Sequence, residues 1–561
     1  MQPWPPPGLL VALPPRVQAD GNTQKGDSHM DGKRPTIASV HGMVAAAHPL
    51  AAQAGAKLLA AGGNAFDAAA ATVAALNVVE PYMSGLAGMG MATCHIASEK
   101  RIRTLDYITR VPSKFPAGRF SDREEMYRGP LATGTPGNLA GWCELVRAYG
   151  RKSLAEVFAP AIALAADGFP LVEFNTAGIN SSSTALKDYP FFEDWNSTYT
   201  GGRGQVAQGD VLRQPHLAET YAAIAANGPG HLYGGPLGRK MIAHLASLGG
   251  CITEADMEAV KPVWLDPMAT SYRGLQVHTL PAPCEGFQFL LTLAILDGFN
   301  LGAMERMGVE HLDTVYRAIR IAAGERIAHN NPKPEMLARI MGADNVARLR
   351  ARVADGKPVD GPTEQWIAPK PINLDKEHTT SCSVADREGN VVCITQSLGA
   401  LFGCGVVIPG TGVCMNNFLY WGEVDTRGTN PLLPGGALAL PTAPSISTRD
   451  GKPVLALGTP GSYGICQTQP QAMVQYLDFG LKLQDAIEAP RARLWDGTRV
   501  DQEERIAPEV MTALAARGHD MRPAGGWTMQ VGGMQAIAID PASGAMVGAA
   551  DPRRDGYVAT P

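Results

Sequence analysis

Three groups of residues in this 561-residue sequence could carry chemistry by type and spacing: histidine–acid pairs, a glycine-rich loop and a threonine pair at the start of a strand. His311 with Asp313, and Glu325 with His329, fall in amphipathic helical patterns, where a solvated face or a satisfied core histidine accounts for them. Gly85-Leu86-Ala87-Gly88-Met89-Gly90 could in isolation cradle a phosphate, but it follows a helical pattern and precedes a strand, the reverse of the dinucleotide-binding order. No G-x-S-x-G elbow, H-E-x-x-H pair or Walker loop is present. His378-Thr379-Thr380 stands where a proline-rich polar stretch gives way to a strand. Threonine favours strands for steric reasons alone, so a chemical role there depends on the wider setting.

The elements that must position these residues are legible in the pattern. A strand is expected from near Ile37 through Val44-Ala45-Ala46-Ala47, then a helix from Leu50 to Ala61, closed by Gly62-Gly63. Asn64 can cap a second helix, from Ala65 to about Val79, which is apolar nearly all round and therefore internal. From about Gly141 to Asn331 the chain reads mainly as helices, including 154–166, 218–227, 287–296 and 311–328, with a strand at 274–279. Arg352 to Asp375, with Pro358, Pro362, Pro369 and Pro371, reads as an exposed linker. Beyond Thr379 the character changes to strands. Residues 381–385 and 391–397, joined by Asp386-Arg387-Glu388-Gly389-Asn390, form a hairpin pattern. Strands at 454–458, 535–540 and 545–548 and helices at 467–476 and 508–516 follow.

The length exceeds one ordinary core, so two domains or one large body of two interleaved segments is expected. A net charge of −5 and the lack of a long basic run argue against nucleic acid or an anionic membrane as partner and favour a small molecule. No apolar run approaches the length of a membrane span. Nine cysteines without a C-x-x-C pair suggest buried thiols in a reducing compartment. Cys382, Cys393, Cys404 and Cys414 cluster in sequence, but in apolar strand-like runs, so core packing is expected in place of a zinc cage. Residues 1–36 read as a disordered segment. Their apolar patch, Gly8 to Leu13, is too short for a secretory signal, and a cytoplasmic location is the expectation.

The stretch from His378 to Asp386, with Gly389-Asn390-Val391-Val392 and Phe402-Gly403-Cys404-Gly405, resembles the threonine-nucleophile motif of the γ-glutamyltransferase family. Five further segments follow that family's order: Gly62 to Ala69, Gly134 to Gly141, Met415-Asn416-Asn417-Phe418, Gly458 to Ser462 and Ala550-Asp551-Pro552-Arg553. The likeness runs from about residue 37 to the C-terminus. It implies an α+β fold, the four-layer αββα sandwich of N-terminal-nucleophile hydrolases, made as a precursor that cuts itself between His378 and Thr379. The large piece (37–378 after the leading segment) and the small piece (379–561) would remain together as a heterodimer acting on a small-molecule amide. The freed α-amine of Thr379, with a reference pKa of about 7.7 to 8.0, can take the proton of its own hydroxyl. By the same resemblance Ser397 replaces a second threonine that contacts the nucleophile. Gly461 and Ser462 supply the oxyanion turn, where the family has two glycines. No metal or organic cofactor is implied.

The substrate positions depart from the family. The carboxylate-binding arginine falls on Ile108, with Arg110 two residues further along the same face; the acidic residue that holds the substrate amine falls on Trp421, beside Phe418. An asparagine is replaced by Gly399, and a pair of serines by Leu440 and Pro441. An acyl group less polar than glutamate is therefore expected, since unpaired buried charges are costly. Two alternatives stand beside it: a true γ-glutamyltransferase or glutathione hydrolase using Arg110, and an uncleaved binding protein on the same fold.

Overall fold

Ala65–Val79 is apolar on every side, and the computed structural model, which describes residues 36–359, 378–495 and 497–561, buries it completely. Its start is fixed by Asn64, whose side-chain oxygen accepts from the amides of Phe66 and Asp67, while the Asp67 carboxylate accepts from the Asn64 amide. A reciprocal cap of this kind contributes about 1 kcal/mol. The preceding helix, Pro49–Ala60, closes through Gly62 at φ +85, and the amides of Gly62 and Gly63 return to the carbonyls of Leu59 and Leu58.

These two helices cover a seven-stranded antiparallel sheet. Its order is Tyr557–Ala559, Gly42–Ala46, His378–Asp386, Val391–Gly399, Met89–Ile96, Arg101–Tyr107 and Val263–Leu265. A second such sheet runs Ile37–Ser39, Met546–Ala550, Gln535–Ile539, Lys452–Gly458, Ser445–Arg449, Leu275–Thr279 and Met268–Tyr272. Strand alternation assigns the faces. Val44 and Ala46 meet the helices, whereas Met43 and Ala45 join Ala385, Val391 and Cys393 against Ile446, Ala456 and Ile537 of the facing sheet. The far side of the second sheet, through Val277, Leu455, Leu457 and Ala536, packs on Phe287–Leu296 and Val309–Ala328. The result is the αββα sandwich.

Two local expectations change, and a third reading, that the glycine stretch is no nucleotide loop, gains its physical reason. The single strand expected from Ile37 is two strands in different sheets, because Gly42, at φ +136, turns the chain from one sheet to the other through a conformation that side chains resist. The polar stretch from Arg352 begins inside a helix, Ala343–Ala354, anchored by buried Val346, Leu349 and Val353; residues 360–377 lie outside the described residues, as does the N-terminal segment up to residue 35. The glycine stretch at Gly85 to Gly90 serves close backbone approach. A Cβ on Gly88 would lie 2.1 Å from the Ser397 carbonyl oxygen, and one on Gly90 2.6 Å from the Tyr107 ring. Among the described residues no helix is long and apolar enough to cross a membrane.

Segments from before and after residue 378 alternate in both sheets. Strand His378–Asp386 pairs with Gly42–Ala46, and Ser445–Arg449 pairs with Leu275–Thr279. A cut before Thr379 therefore leaves two chains that share both sheets. We expect the cut pieces to co-elute as one species in native size-exclusion chromatography and to part only in denaturant; two native peaks would contradict a shared core.

Candidate active site

Thr379 stands at an irregularity in the central pairing. His378 lies opposite Gly399 and Thr380 opposite Gln396, so Ser397 and Leu398 together face Thr379 alone, a β-bulge. The displaced Leu398 amide donates to the Met83 carbonyl at 3.1 Å. The bulge aims Ser397 at the peptide bond that precedes Thr379: its Oγ donates to the His378 carbonyl oxygen at 2.5 Å and accepts from the Gly399 amide at 2.8 Å. The resemblance led us to expect Ser397 on the nucleophile's hydroxyl. In the uncut chain its bond goes to the carbonyl that this hydroxyl would attack.

From the opposite side, Arg554 Nη1 donates to the Thr379 carbonyl at 2.8 Å, and Thr380 Oγ1 donates to the Glu80 carboxylate at 2.8 Å. Glu80 is fully buried at the end of the internal helix, and burial pushes its pKa up to about 7. The Thr379 backbone is thus tied down before and behind, while its side chain lines the cavity and the residue keeps 6% exposure.

The turn expected to bind an oxyanion runs at positive φ at both of its positions. Gly461 lies at φ +127 and Ser462 at φ +50, so the position where this sequence has serine still demands the left-handed conformation, at a cost of about 1 kcal/mol. Arg493 Nη1 donates to the Gly461 carbonyl at 2.7 Å. A trans peptide sets C=O and N–H on opposite sides, so the Ser462 N–H faces away from Arg493. Ser462 lines the cavity beside Thr379, with Gly461 behind it.

That cavity holds about 300 Å³ of empty space, part of it open to solvent, and is lined by Met89, His378, Thr379, Ser397, Gly399, Phe418, Trp421, Leu440, Pro441, Thr442, Ser462 and Ile465. Among these described residues there is no Lys, Arg, Asp or Glu. Gly399, at φ +101, is what admits the tryptophan: a Cβ there would lie 2.2 Å from the Asn417 side-chain oxygen and 3.1 Å from the Trp421 ring. Ile108 is buried in the same apolar cluster as Met89, Phe418, Trp421 and Leu440. Arg110 is exposed and outside the cavity lining. The alternation that would have aimed it inward ends with the strand at Tyr107, and Arg110 forms a lone bridge with Ala437.

Sequence reasoning passed over Met89, Thr442, Ile465, Glu80 and Arg554. A signal existed for two of them. Met89 is the register partner of Ser397 once the hairpin is extended by a strand. Glu80 follows directly on a helix with no polar face, so its carboxyl had to be buried. Among the described residues no cluster of three His, Cys, Asp or Glu side chains could hold a metal.

Residues 51–560 match the family described as Gamma-glutamyltranspeptidase. The chain is 34% identical over 542 residues to the Acylase ACY 1 proenzyme of Pseudomonas sp. (strain V22), covering 93% of this chain and 94% of that one. It is 30% identical over 544 residues to the Glutathione hydrolase proenzyme of Bacillus subtilis (strain 168), over 92% and 90% of the two chains. Its fold matches the crystal structure of cephalosporin acylase from Bacillus halodurans with a TM-score of 0.86 at 27% identity, covering 97% and 99%.

Ser397→Ala removes the donor on the carbonyl at the expected cut. It should slow appearance of the cut pieces about 10²-fold, the usual loss for one oxyanion donor, followed by gel densitometry over time. Gly399→Ala adds both backbone strain and the two close contacts above, and should lower the unfolding free energy by about 1–3 kcal/mol in a denaturant titration.

Proposed function

We propose, for a chain that belongs to the γ-glutamyltranspeptidase family, that Thr379 is the nucleophile of an acylase whose acyl group is less polar than glutamate. The protein is a self-processing amidohydrolase of the N-terminal-nucleophile class. In processing, Thr379 Oγ1 attacks the His378 carbonyl carbon, the bond to the Thr379 nitrogen breaks, and the hydroxyl proton passes to that nitrogen. Ser397 donates to the oxygen that gains charge. Water then hydrolyses the resulting ester, leaving a carboxylate on His378 and a free amine and hydroxyl on Thr379.

In turnover the amine takes the hydroxyl proton as Oγ1 attacks the substrate amide. The amide of Ser462 faces the oxyanion, and the proton passes on to the departing amine. Water releases the acyl group from Oγ1.

The observation that carries the acyl preference is the uncharged wall formed by Met89, Phe418, Trp421, Leu440 and Ile465. A γ-glutamyl group would bring an α-carboxylate and an α-ammonium against these five side chains, none of which offers a counter-charge, a loss of several kcal/mol. An alkyl or aryl acyl group gains about 0.8 kcal/mol per buried methylene, or about fourfold in kcat/KM for each.

Two measurements test this. Intact mass spectrometry under denaturing conditions should find a fragment beginning at Thr379, absent in Thr379→Ala; a chain that stays whole removes the nucleophile assignment. With a series of acyl anilides, kcat/KM should climb with chain length until the cavity is full and exceed that for γ-glutamyl anilide. Preference for the γ-glutamyl compound would overturn the acyl reading alone.

A further inference from the structure

Arg554 is a buried charge set directly against Thr379. It is 3% exposed, burial holds its pKa below the ordinary arginine value, and its stem runs past Gly533, where a Cβ would come within 2.7 Å of it. A guanidinium taken out of water needs its donors satisfied. Its Nη1 is on the Thr379 carbonyl, yet Nε and Nη2 have no hydrogen-bond partner among the described residues, and Glu80 Oε1 is likewise unpartnered. A buried charge so incompletely compensated, placed against the residue that does the chemistry, is better explained by function than by stability.

We propose that Arg554 is a positioning residue: it fixes the Thr379 backbone and, as a buried positive charge behind it, raises the free-base share of the amine released by cleavage at neutral pH. This rests on the assignment of Thr379 above. Nη1 is 2.8 Å from the Thr379 carbonyl oxygen. Within one extended residue that oxygen is only about 3 Å from its own nitrogen, so the cation lies within about 6 Å of the amine. A second positive charge at that distance disfavours the ammonium. The other charged and titratable groups around Thr379 and Arg554 are Glu80 and Tyr82 at the end of the internal helix, Asp551 and Asp555 in the C-terminal turn, the His378 imidazole, and the carboxylate that cleavage creates on His378. Glu80, close to half-ionised at neutral pH, offsets part of the cation, so a net shift of about one unit is expected.

The sign follows from charge repulsion: with Arg554 present the amine titrates lower, and without it higher. The test is competitive acetylation of the Thr379 amine against a free peptide over a pH series, read by mass on the fragment that begins at Thr379, and therefore without any substrate. In the native protein the amine should titrate about one unit below the free range of about 7.7 to 8.0. Arg554→Met should raise it by more than about one unit, because Glu80 is then left without the opposing cation, carrying the acid limb of kcat/KM with it, and Arg554→Lys should leave it near the native value. A native amine at or above the free-peptide range overturns the proposal even if Arg554→Met fails to fold. So does equal titration in the native protein and Arg554→Met. Absence of the Thr379 fragment would instead defeat the assignment of the nucleophile.

Discussion

Strand His378–Asp386 is hydrogen-bonded along both edges, to Gly42–Ala46 on one side and Val391–Gly399 on the other. The pairing with Gly42–Ala46 begins only at Cys382; the residues before it are fixed by the bulged pairing with Val391–Gly399, by Ser397 on the His378 carbonyl, by Arg554 on the Thr379 carbonyl and by Glu80 on the Thr380 hydroxyl, and the rest of the site is built on that fixity. The bulge opposite Thr379 uses the rigid neighbouring strand to aim Ser397, and the buried helix end places Glu80 beneath Thr380. The Thr379 hydroxyl has a single side-chain torsion to adjust and the amine proposed as its base lies on the backbone, so precision comes from the sheet in place of a supporting triad.

The parts of this arrangement that were legible in sequence are those decided locally. Asn64 with Asp67 announces a helix start, and an unbroken apolar face from Ala65 to Val79 announces an internal helix. The hairpin around Asp386 to Asn390 is likewise a local pattern. The positions of Thr379, Ser397, Phe418, Trp421 and Leu440 around one cavity followed from resemblance, because nothing in their spacing predicts that they meet.

What was not legible depends on long-range placement. Gly42 reads like any glycine, yet its backbone angle divides one apparent strand between two sheets. Arg110 has the right parity for the pocket but lies beyond the end of its strand, where parity has no meaning. Arg554 sits in a run of charged residues near the C-terminus, which in a sequence looks solvated; only the closing of Tyr557–Ala559 onto Gly42–Ala46 draws that run into the interior. Charges are thus the residues whose burial a sequence hides best.

The contact between Gly399 and Trp421 also bears on how such a pocket can change over time. A side chain arriving at position 399 meets the Asn417 oxygen at 2.2 Å and the tryptophan ring at 3.1 Å, so it is accepted only after both neighbours have moved. Asn417 is not free to move at will, since its oxygen holds the Ala400 amide at 2.8 Å. Positions 399, 417 and 421 are therefore coupled: a side chain gained at 399 has to be matched by a change at Asn417 and by a shift of the indole, so the three positions change together or not at all.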